Sequence, residues 1–398
     1  IVWSLFSDRQ GNVWIGSDYG VSMADMNDRF TSVSEITGLP DGNTFYAIMS
    51  DCHNRLWLGG SNGLLKTDEN LQNSVWYRLG DKDNALPHNR IRDIKEDKEG
   101  VIWIASDGGV NRYDENSKCF IRYNIEDTTG VYNANWAYQI TDDGVGKLWI
   151  ATCQGGVMVV DKSKFNSGGS HIEADFVITK TNGLANNYIE QLQYDKGSYM
   201  YALCHRAGVY RIDMTTRIAT GIGYPLAMSI YSDSVGSLWI GEEGRLINIK
   251  SDGTEKILNL AEGVSVFAMC EEQGYLWVMT SNGLWLVENE TVRKYMTDKH
   301  TYMSLHVDGA KRRLYAGGID GVMSVSSVEL KESELPDMKV FITSVYVGDS
   351  LYAKACDYRY LESLKLDYKD NRLAFDVSDF NYSEYNNSSF VYRMEAFA

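Results

Sequence analysis

Residues 91–110, IRDIKEDKEGVIWIASDGGV, contain the pattern that decides the fold of this 398-residue chain. The alternating run at 91–96 predicts a strand. The Asp-x-x-Gly stretch at 97–100 predicts a tight turn, because Asp bonds nearby backbone N–H groups while Gly accepts a positive φ. A second strand carries Trp-Ile-Ala at 103–105, and the Gly-Val pair at 109–110 turns the chain into a third strand.

This pattern recurs along the chain, and each copy carries one aromatic anchor. The anchors are Trp14, Trp57, Trp103, Trp149, Tyr201, Trp239, Trp277 and Tyr315. They lie 38 to 52 residues apart, which is typical of β-propeller blades, whose repeats run to roughly 40 to 50 residues. We expect the indole to fill the wedge between blades and the small residue that follows to let blades approach. A fourth, outer strand is predicted near Phe30, Trp76, Phe120, Phe176 and Tyr295.

The strand count predicts how the propeller closes. There are eight sets of the first three strands but seven outer strands, because the last set runs into a polar segment. If the strand near Phe30 completes the blade at 314–326, residues 27–328 close as seven blades. Residues 1–26 then form the remnant of a preceding repeat from a neighbouring propeller. An eight-bladed propeller is the alternative.

The pattern changes after a polar linker at 329–339. Residues 340–347 alternate as a strand, 366–377 predict two more, and 390–394 another. A complete immunoglobulin-like sandwich takes about seven strands in roughly 100 residues, so residues 340–398 predict an incomplete sandwich. The fold class is therefore all-β, a propeller followed by a partial immunoglobulin-like β-sandwich.

Composition excludes several functions. The net charge of −16 argues against a nucleic-acid partner, since phosphate binding needs a basic surface. No apolar run long enough for a membrane span occurs within these residues. The six cysteines form no C-x-x-C pair and have no histidine at metal-ligand spacing, so we expect neither a metal site nor a cofactor.

The D-x-x-G-x-x-Trp-Ile-Gly-x-x-x-Gly-Val repeat resembles the two-component regulator propeller repeat. The stretches NRLAF at 371–375, FNY at 380–382 and YRME at 392–395 resemble the start of the Tyr-Tyr-Tyr domain that follows such propellers, although Ala396 stands where that family usually has Gly. The resemblance implies the periplasmic sensor of a membrane-tethered hybrid histidine kinase that controls polysaccharide-utilisation genes. Kinase chemistry then lies outside these residues, so we expect no catalytic activity here, and a homodimer through the C-terminal domain.

Topology predicts the face that binds a ligand. Loops leading into the inner strands and turns between the second and third strands open on one face, whereas the Asp-x-x-Gly turns open on the other. Rings stack on sugars, amides bond hydroxyls and Arg pairs with uronate or sulfate, so the first face predicts an oligosaccharide site. Its candidate residues are Asn89, Arg90, Arg92, Asn135, Trp136, Asn187, Tyr188, Glu190, His205 and Arg206.

Two other functions stay open. The same face is suited to docking another protein. A propeller lyase or glycosidase would need paired carboxylates or an activated histidine at the mouth, and His205 and Glu190 fall there. The sequence contains no H-E-x-x-H or Walker motif, which disfavours the enzyme.

Overall fold

The computed structural model describes residues 1–8, 12–24, 30–33, 42–68, 70–80, 85–166, 168–289, 291–295, 301–319, 321–332, 340–352, 364, 366–370 and 372–378. The chain divides into two compact units. One is Phe30–Leu330, and the other combines Ile1–Arg29 with Lys331–Ala398.

The unit Phe30–Leu330 contains seven sheets that each hold four antiparallel strands, named here blades 1 to 7. Their strands, from the inner to the outer, are Phe45–Ser50, Leu56–Gly60, Gly63–Thr67 and Val75–Tyr77 in blade 1; Ile91–Glu96, Ile102–Ser106, Gly109–Asp114 and Cys119–Glu126 in blade 2; Ala137–Asp142, Lys147–Thr152, Val157–Asp161 and Phe176–Ile178 in blade 3; Ile189–Tyr194, Tyr199–Cys204, Gly208–Asp213 and Ala219–Gly223 in blade 4; Ser229–Ser232, Leu238–Glu242, Arg245–Ile249 and Glu255–Asn259 in blade 5; Val266–Glu272, Tyr275–Thr280, Gly283–Glu288 and Thr291–Tyr295 in blade 6; and Tyr302–Asp308, Arg313–Gly318, Gly321–Ser326 and Thr31–Ser32 in blade 7. The predicted all-β propeller is confirmed.

Blade 7 takes its outer strand from the beginning of this unit. Ser32 pairs with Met323 and Thr31 with Ser324. An isolated bridge between Thr44 and Ile319 joins the same two parts of the chain. The two ends of the propeller sequence therefore meet in one sheet, as the predicted seven-bladed closure requires.

A short helix, Ser327–Glu332, follows blade 7. Its Leu330 is buried in one core with Tyr295 and Leu314, and Ser327 Oγ donates to Glu272 Oε1 at 2.7 Å. The predicted boundary after residue 328 falls inside this helix, because its polar composition hid the buried leucine. Residues 333–339 of the predicted linker lie outside the described residues.

The 52-residue spacing between the anchors of blades 3 and 4 has a structural cause. The extra residues form the 3-10 helix Lys162–Asn166 and the strand His171–Glu173. That strand pairs in parallel with Cys119–Glu126 and adds a fifth strand to blade 2. Phe165 packs its ring 4.7 Å from that of Trp103. The insertion therefore covers the outer side of blade 2.

An Asp–Trp hydrogen bond fixes most of the turns between the first and second strands. The carboxylate accepts the indole N–H of the residue six positions later, at 2.7 Å for Asp51 and Trp57 and 2.8 Å for Asp97 and Trp103. The same bond joins Asp143 to Trp149, Asp233 to Trp239 and, in the other unit, Asp8 to Trp14. The other carboxylate oxygen accepts backbone N–H groups of the turn, as Asp97 does from Glu99 and Val101. The predicted turn bonds are confirmed, and the indole bond adds a link to the core.

The glycine of Trp-x-Gly allows close contact between blades. A Cβ added at Gly59 would lie 2.5 Å from Ile91 Cγ2 of blade 2, and one at Gly241 would lie 2.4 Å from Val266 Cγ1 of blade 6. Real side chains essentially never approach that closely. The expected need for a small residue at this position is confirmed.

The other unit contains two three-stranded sheets. One is formed by Val2–Ser7, Val13–Ser17 and Gly20–Ala24, the other by Phe341–Val347, Ser350–Leu351 and Leu373–Ser378. Where the sequence predicted two strands at 366–377, a turn at 368–369 precedes a single strand. The predicted strand at 390–394 and the motifs at 380–382 and 392–395 lie outside the described residues, so the sandwich stays a prediction. No helix within the described ranges has the length and apolarity needed to cross a bilayer.

Candidate functional site

A β-bulge interrupts the inner strand of six blades at the same position. The register of pairing with the second strand skips one residue there: Tyr46, Arg92, Tyr138, Glu190, Phe267 and Met303 in blades 1, 2, 3, 4, 6 and 7. In blade 5 the equivalent residue is Met228, whose backbone N–H donates to Gly241 O at 2.8 Å. A bulge redirects a side chain and often lies beside a functional site. Each blade therefore contributes one residue to the mouth of the propeller, at the ends where the loops enter the inner strands.

Contacts between neighbouring blades join four of these positions. The guanidinium carbon of Arg92 lies 5.7 Å from the ring centroid of Tyr46 and 4.5 Å from that of Tyr138. The Tyr138 and Tyr188 hydroxyls hydrogen-bond at 2.7 Å. The Tyr188 ring stacks on that of His205, and His205 contacts Glu190 in blade 4. We name this continuous set the polar rim. Its members are Tyr46, Arg92, Asp107, Tyr138, Tyr188, Glu190 and His205.

The centre of the polar rim is an Arg–Asp pair. Arg92 donates through Nε and Nη2 to the two carboxylate oxygens of Asp107, at 2.7 and 3.2 Å. Burial opposes the charge on Arg92, but the bonds to Asp107 outweigh it and raise the pKa of the guanidinium. The charge of Arg92 is therefore already matched within the chain. Arg90 lies 3.6 Å from Asp107 and its side chain is 45% exposed, so it is the more accessible cation.

The blade 4 end of the polar rim combines a ring stack with a histidine–carboxylate contact. The rings of Tyr188 and His205 lie 4.3 Å apart at 15°, and His205 Nδ1 is 2.7 Å from Glu190 Oε1. Burial and the hydrogen bond to Tyr138 raise the pKa of Tyr188. Its phenol therefore stays protonated and can both donate and accept hydrogen bonds at neutral pH.

A pocket of about 230 Å³ adjoins the polar rim between blades 2 and 3. It is lined by Asp107, Asn133, Asn135, Trp136 and Gln154. Trp136 is 42% exposed, and the pocket combines its indole with amide groups and a carboxylate. The volume is below the roughly 300–1,000 Å³ of pockets that enclose a drug-sized ligand.

Three predicted site residues do not join this arrangement through their side chains. Asn89 Oδ1 accepts the N–H of Leu79 at 2.7 Å, and Asn187 Oδ1 accepts that of Lys180 at 3.0 Å, so both hold loops in place. Arg206 is exposed in a turn with a φ of 53°. The remaining seven candidates lie at the polar rim, beside it, or in the adjoining pocket.

Sequence reasoning missed Tyr46, Tyr138 and Gln154. Tyr46 and Tyr138 occupy the second position of their inner strands. Tyr46 lies between the buried Phe45 and Ala47, and Tyr138 between Ala137 and Gln139. The alternation of inward and outward side chains along a regular strand gave these two tyrosines no special role. The sequence signal was an aromatic or charged residue at that second position in four successive repeats, but the bulge that redirects it is a property of strand pairing.

A closed propeller built from Asp-x-x-Gly turns and Trp anchors places this chain among the two-component regulator propellers. Residues 1–19 and 85–108 match the family described as two component regulator propeller. The predicted resemblance is confirmed.

Solved structures give a nearly full-length match. The chain is 34% identical, over 96% of its length, to the extracellular domain of BT4673 from B. thetaiotaomicron, assigned as a one component system, with a TM-score of 0.72 and 55% of that chain covered. A second structure, assigned to a hybrid two component system of the same name, gives 35% identity, a TM-score of 0.73 and coverage of 95% and 53%. The extracellular domain assigned to the hybrid two component system BT3049 of that organism shares the fold at 17% identity, with a TM-score of 0.61 and coverage of 86% and 52%. The chain thus spans about half the length of these relatives. No curated protein matches it.

Proposed function

We propose that this chain is part of the extracytoplasmic, periplasmic sensor region of a hybrid two-component system and that it binds an oligosaccharide at the polar rim. The observation that carries the proposal is the unbroken series of contacts from Asp107 and Arg92 through Tyr138 and Tyr188 to His205. Similarity to extracellular domains of hybrid two-component systems supports the sensing role.

The chemistry of the mouth suits a sugar. Trp136, Tyr138 and Tyr188 offer ring faces or edges on which the apolar face of a sugar packs, while phenols and amides bond hydroxyls. The small pocket would hold one unit of a longer ligand that continues across the polar rim. Exposed Arg90 would select a ligand with a uronate or sulfate at the adjoining unit.

Binding should be measured by calorimetry against a panel of defined neutral, uronate-containing and sulfated oligosaccharides. Trp136→Ala should weaken binding about tenfold, because a ring contact contributes roughly 0.5–1.5 kcal/mol beyond its buried area. Arg90→Gln should weaken the anionic ligands selectively. Arg122→Gln, on an exposed position of the outer strand of blade 2, is the matched control and should leave affinity unchanged. Equal binding by all variants would place the ligand elsewhere.

The same samples test whether the protein only binds the oligosaccharide, as a sensor does, or cleaves it, as an enzyme does. Glu190 and His205 are the groups that a lyase or glycosidase would use, because they are the carboxylate and imidazole of the polar rim and lie 2.7 Å apart. A sensor leaves the length of a bound oligosaccharide unchanged after prolonged incubation. Shortened products that disappear in Glu190→Gln would establish the enzyme instead.

Signalling requires that the ligand bind one arrangement of the protein better than another. We propose that the C-terminal domain forms a homodimer, and that ligand binding changes this dimer and thereby a membrane-tethered histidine kinase controlling polysaccharide-utilisation genes. Sedimentation of the whole extracellular region should show a tighter dimer constant with ligand than without. An unchanged constant would refute this mechanism while leaving the binding site intact.

Protein docking is a second candidate because the other half of the mouth is apolar. Leu226 and Met228 are 70% and 41% exposed in the loop that enters blade 5, and Phe267 and Met303 hold the bulge positions of blades 6 and 7. Methionine-rich surfaces adapt to protein partners. Docking is favoured if no glycan of the panel binds and Met228→Glu abolishes capture of a protein partner that the wild type binds.

A further inference from the structure

Cys52, His53 and Glu96 form a cluster on the face of the propeller opposite the polar rim. Cys52 and His53 follow Asp51 in the first turn of blade 1, and Glu96 ends the inner strand of blade 2. Cys52 Sγ lies 3.3 Å from His53 Nδ1. One ligand atom from each of the three side chains lies within 4.8 Å of the other two. Cys52 and His53 are exposed, so an ion from solvent can reach the cluster.

Blades 5 and 6 contain the equivalent turn and carboxylate. Between blades 5 and 6, Glu271 holds the equivalent turn by accepting the Ser234 backbone N–H at 2.6 Å on one carboxylate oxygen and the Ser234 hydroxyl on the other. Glu96 likewise accepts the Cys52 backbone N–H on Oε2, at 2.9 Å. Its Oε1 is buried without an N–H or O–H donor among the described residues, and the group beside it is the Cys52 thiol, a weak donor that interacts with this carboxylate. A buried carboxylate oxygen that lacks a strong donor is costly, and here it adjoins a thiol and an imidazole.

We propose that Cys52, His53 and Glu96 bind a thiophilic divalent cation, with Zn²⁺ as the best match. Zinc binds Cys sulfur, His nitrogen and carboxylate oxygen with tetrahedral geometry, so two of its ligand atoms lie about 3.5 Å apart. The observed sulfur–nitrogen distance of 3.3 Å fits that edge. Sulfur and imidazole donors disfavour Ca²⁺ and Mg²⁺, which prefer oxygen. Three protein ligands leave one coordination position open.

A second acidic cluster of the same face does not qualify. Asp97, Glu99 and Asp142 lie close enough to share an ion, but the Lys162 ammonium already contacts all three carboxylates. Their charge is therefore matched within the chain. The Cys52 cluster differs because its donors are a thiol, an imidazole and a single carboxylate.

The test uses the whole chain, stripped with chelator and titrated with zinc chloride against a chromophoric competitor. We expect one Zn²⁺ per chain, and Co²⁺ should produce the charge-transfer absorption of a cobalt thiolate. Cys52→Ser should weaken binding by at least about 100-fold, since even an outer-shell partner is worth 10- to 100-fold. This variant should fold, because Ser234 already occupies the equivalent position opposite Glu271.

Cys119→Ser is the matched control, since Cys119 is a free thiol outside the cluster, and it should bind zinc as the wild type does. Glu96→Gln retains an acceptor for the Cys52 backbone N–H and should weaken binding at least tenfold. Equal zinc affinity of the wild type and Cys52→Ser, or cobalt binding without thiolate absorption, would overturn the proposal. None of these outcomes depends on the oligosaccharide site.

Discussion

Replacing Asp97 by alanine should destabilise the propeller by about 3–5 kcal/mol. The carboxylate accepts the N–H groups of Glu99 and Val101 at 3.0 and 2.9 Å and the indole N–H of Trp103 at 2.8 Å. Each turn bond contributes about 1 kcal/mol, because water can replace it. The indole is 2% exposed, so its N–H would be left without water, at a cost of about 1–3 kcal/mol.

The Asp97→Asn variant separates the contribution of the turn bonds from that of the indole bond. Its side-chain oxygen still accepts the two backbone N–H groups, but its NH₂ faces the indole N–H of Trp103, so the loss should be about 1–3 kcal/mol. Blade 6 provides the natural comparison, because the Trp277 indole is buried with no acceptor among the described residues. Trp103→Phe should therefore cost more than Trp277→Phe.

Urea unfolding followed by tryptophan fluorescence and far-UV circular dichroism measures these differences. The two probes must give coincident transitions before a free energy of unfolding is extracted. A free energy for Asp97→Ala within about 1 kcal/mol of the wild type would refute the claim that this bond fixes the blade. Equal losses for the alanine and asparagine variants would place the whole effect in the indole bond.

Three further predictions follow from blade packing and buried charge. Gly241→Ala should lower the free energy of unfolding by about 1–3 kcal/mol, because its Cβ would meet Val266 and Ser229; an unchanged urea midpoint would show that the blades can separate. His306 accepts the Ser50 N–H at 3.0 Å and desolvation lowers its pKa to about 4 from 6.5. The unfolded chain therefore takes up a proton at a higher pH than the folded protein does. The free energy of unfolding should fall as pH drops from 6.5 towards 4, by up to about 1.4 kcal/mol per pH unit. His306→Gln should remove this pH dependence, followed as the melting temperature, and an identical dependence in the variant would contradict the assignment. Lys162→Met should destabilise the protein and let Ca²⁺ raise its melting temperature, because Asp97, Glu99 and Asp142 lose their ammonium partner; no response to Ca²⁺ would show that the carboxylates separate without Lys162.

The repeat itself was fully visible in the sequence. Asp97, Gly100 and Trp103 recur at fixed spacing because each blade solves the same local problem, a tight turn followed by a wedge-filling ring. Glycine at position 59 was predictable for the same reason, since a blade must approach its neighbour. The outer strand near Phe30 predicted the seven-bladed closure, because a strand left over at one end must pair with a sheet short of a strand.

The functional surfaces depend on contacts between repeats, which no local pattern contains. Tyr138 was missed because a bulge in strand pairing, and not the alternation of its own strand, turns it towards Arg92. Arg92 was predicted to bind a ligand anion, yet the fold supplies Asp107 from the next turn and matches its charge. The Cys52–His53–Glu96 cluster likewise escaped a search for ligand spacing, because Glu96 reaches it from the neighbouring blade. Sequence determined the local geometry of each blade, while the packing of blades around the axis decided which side chains meet.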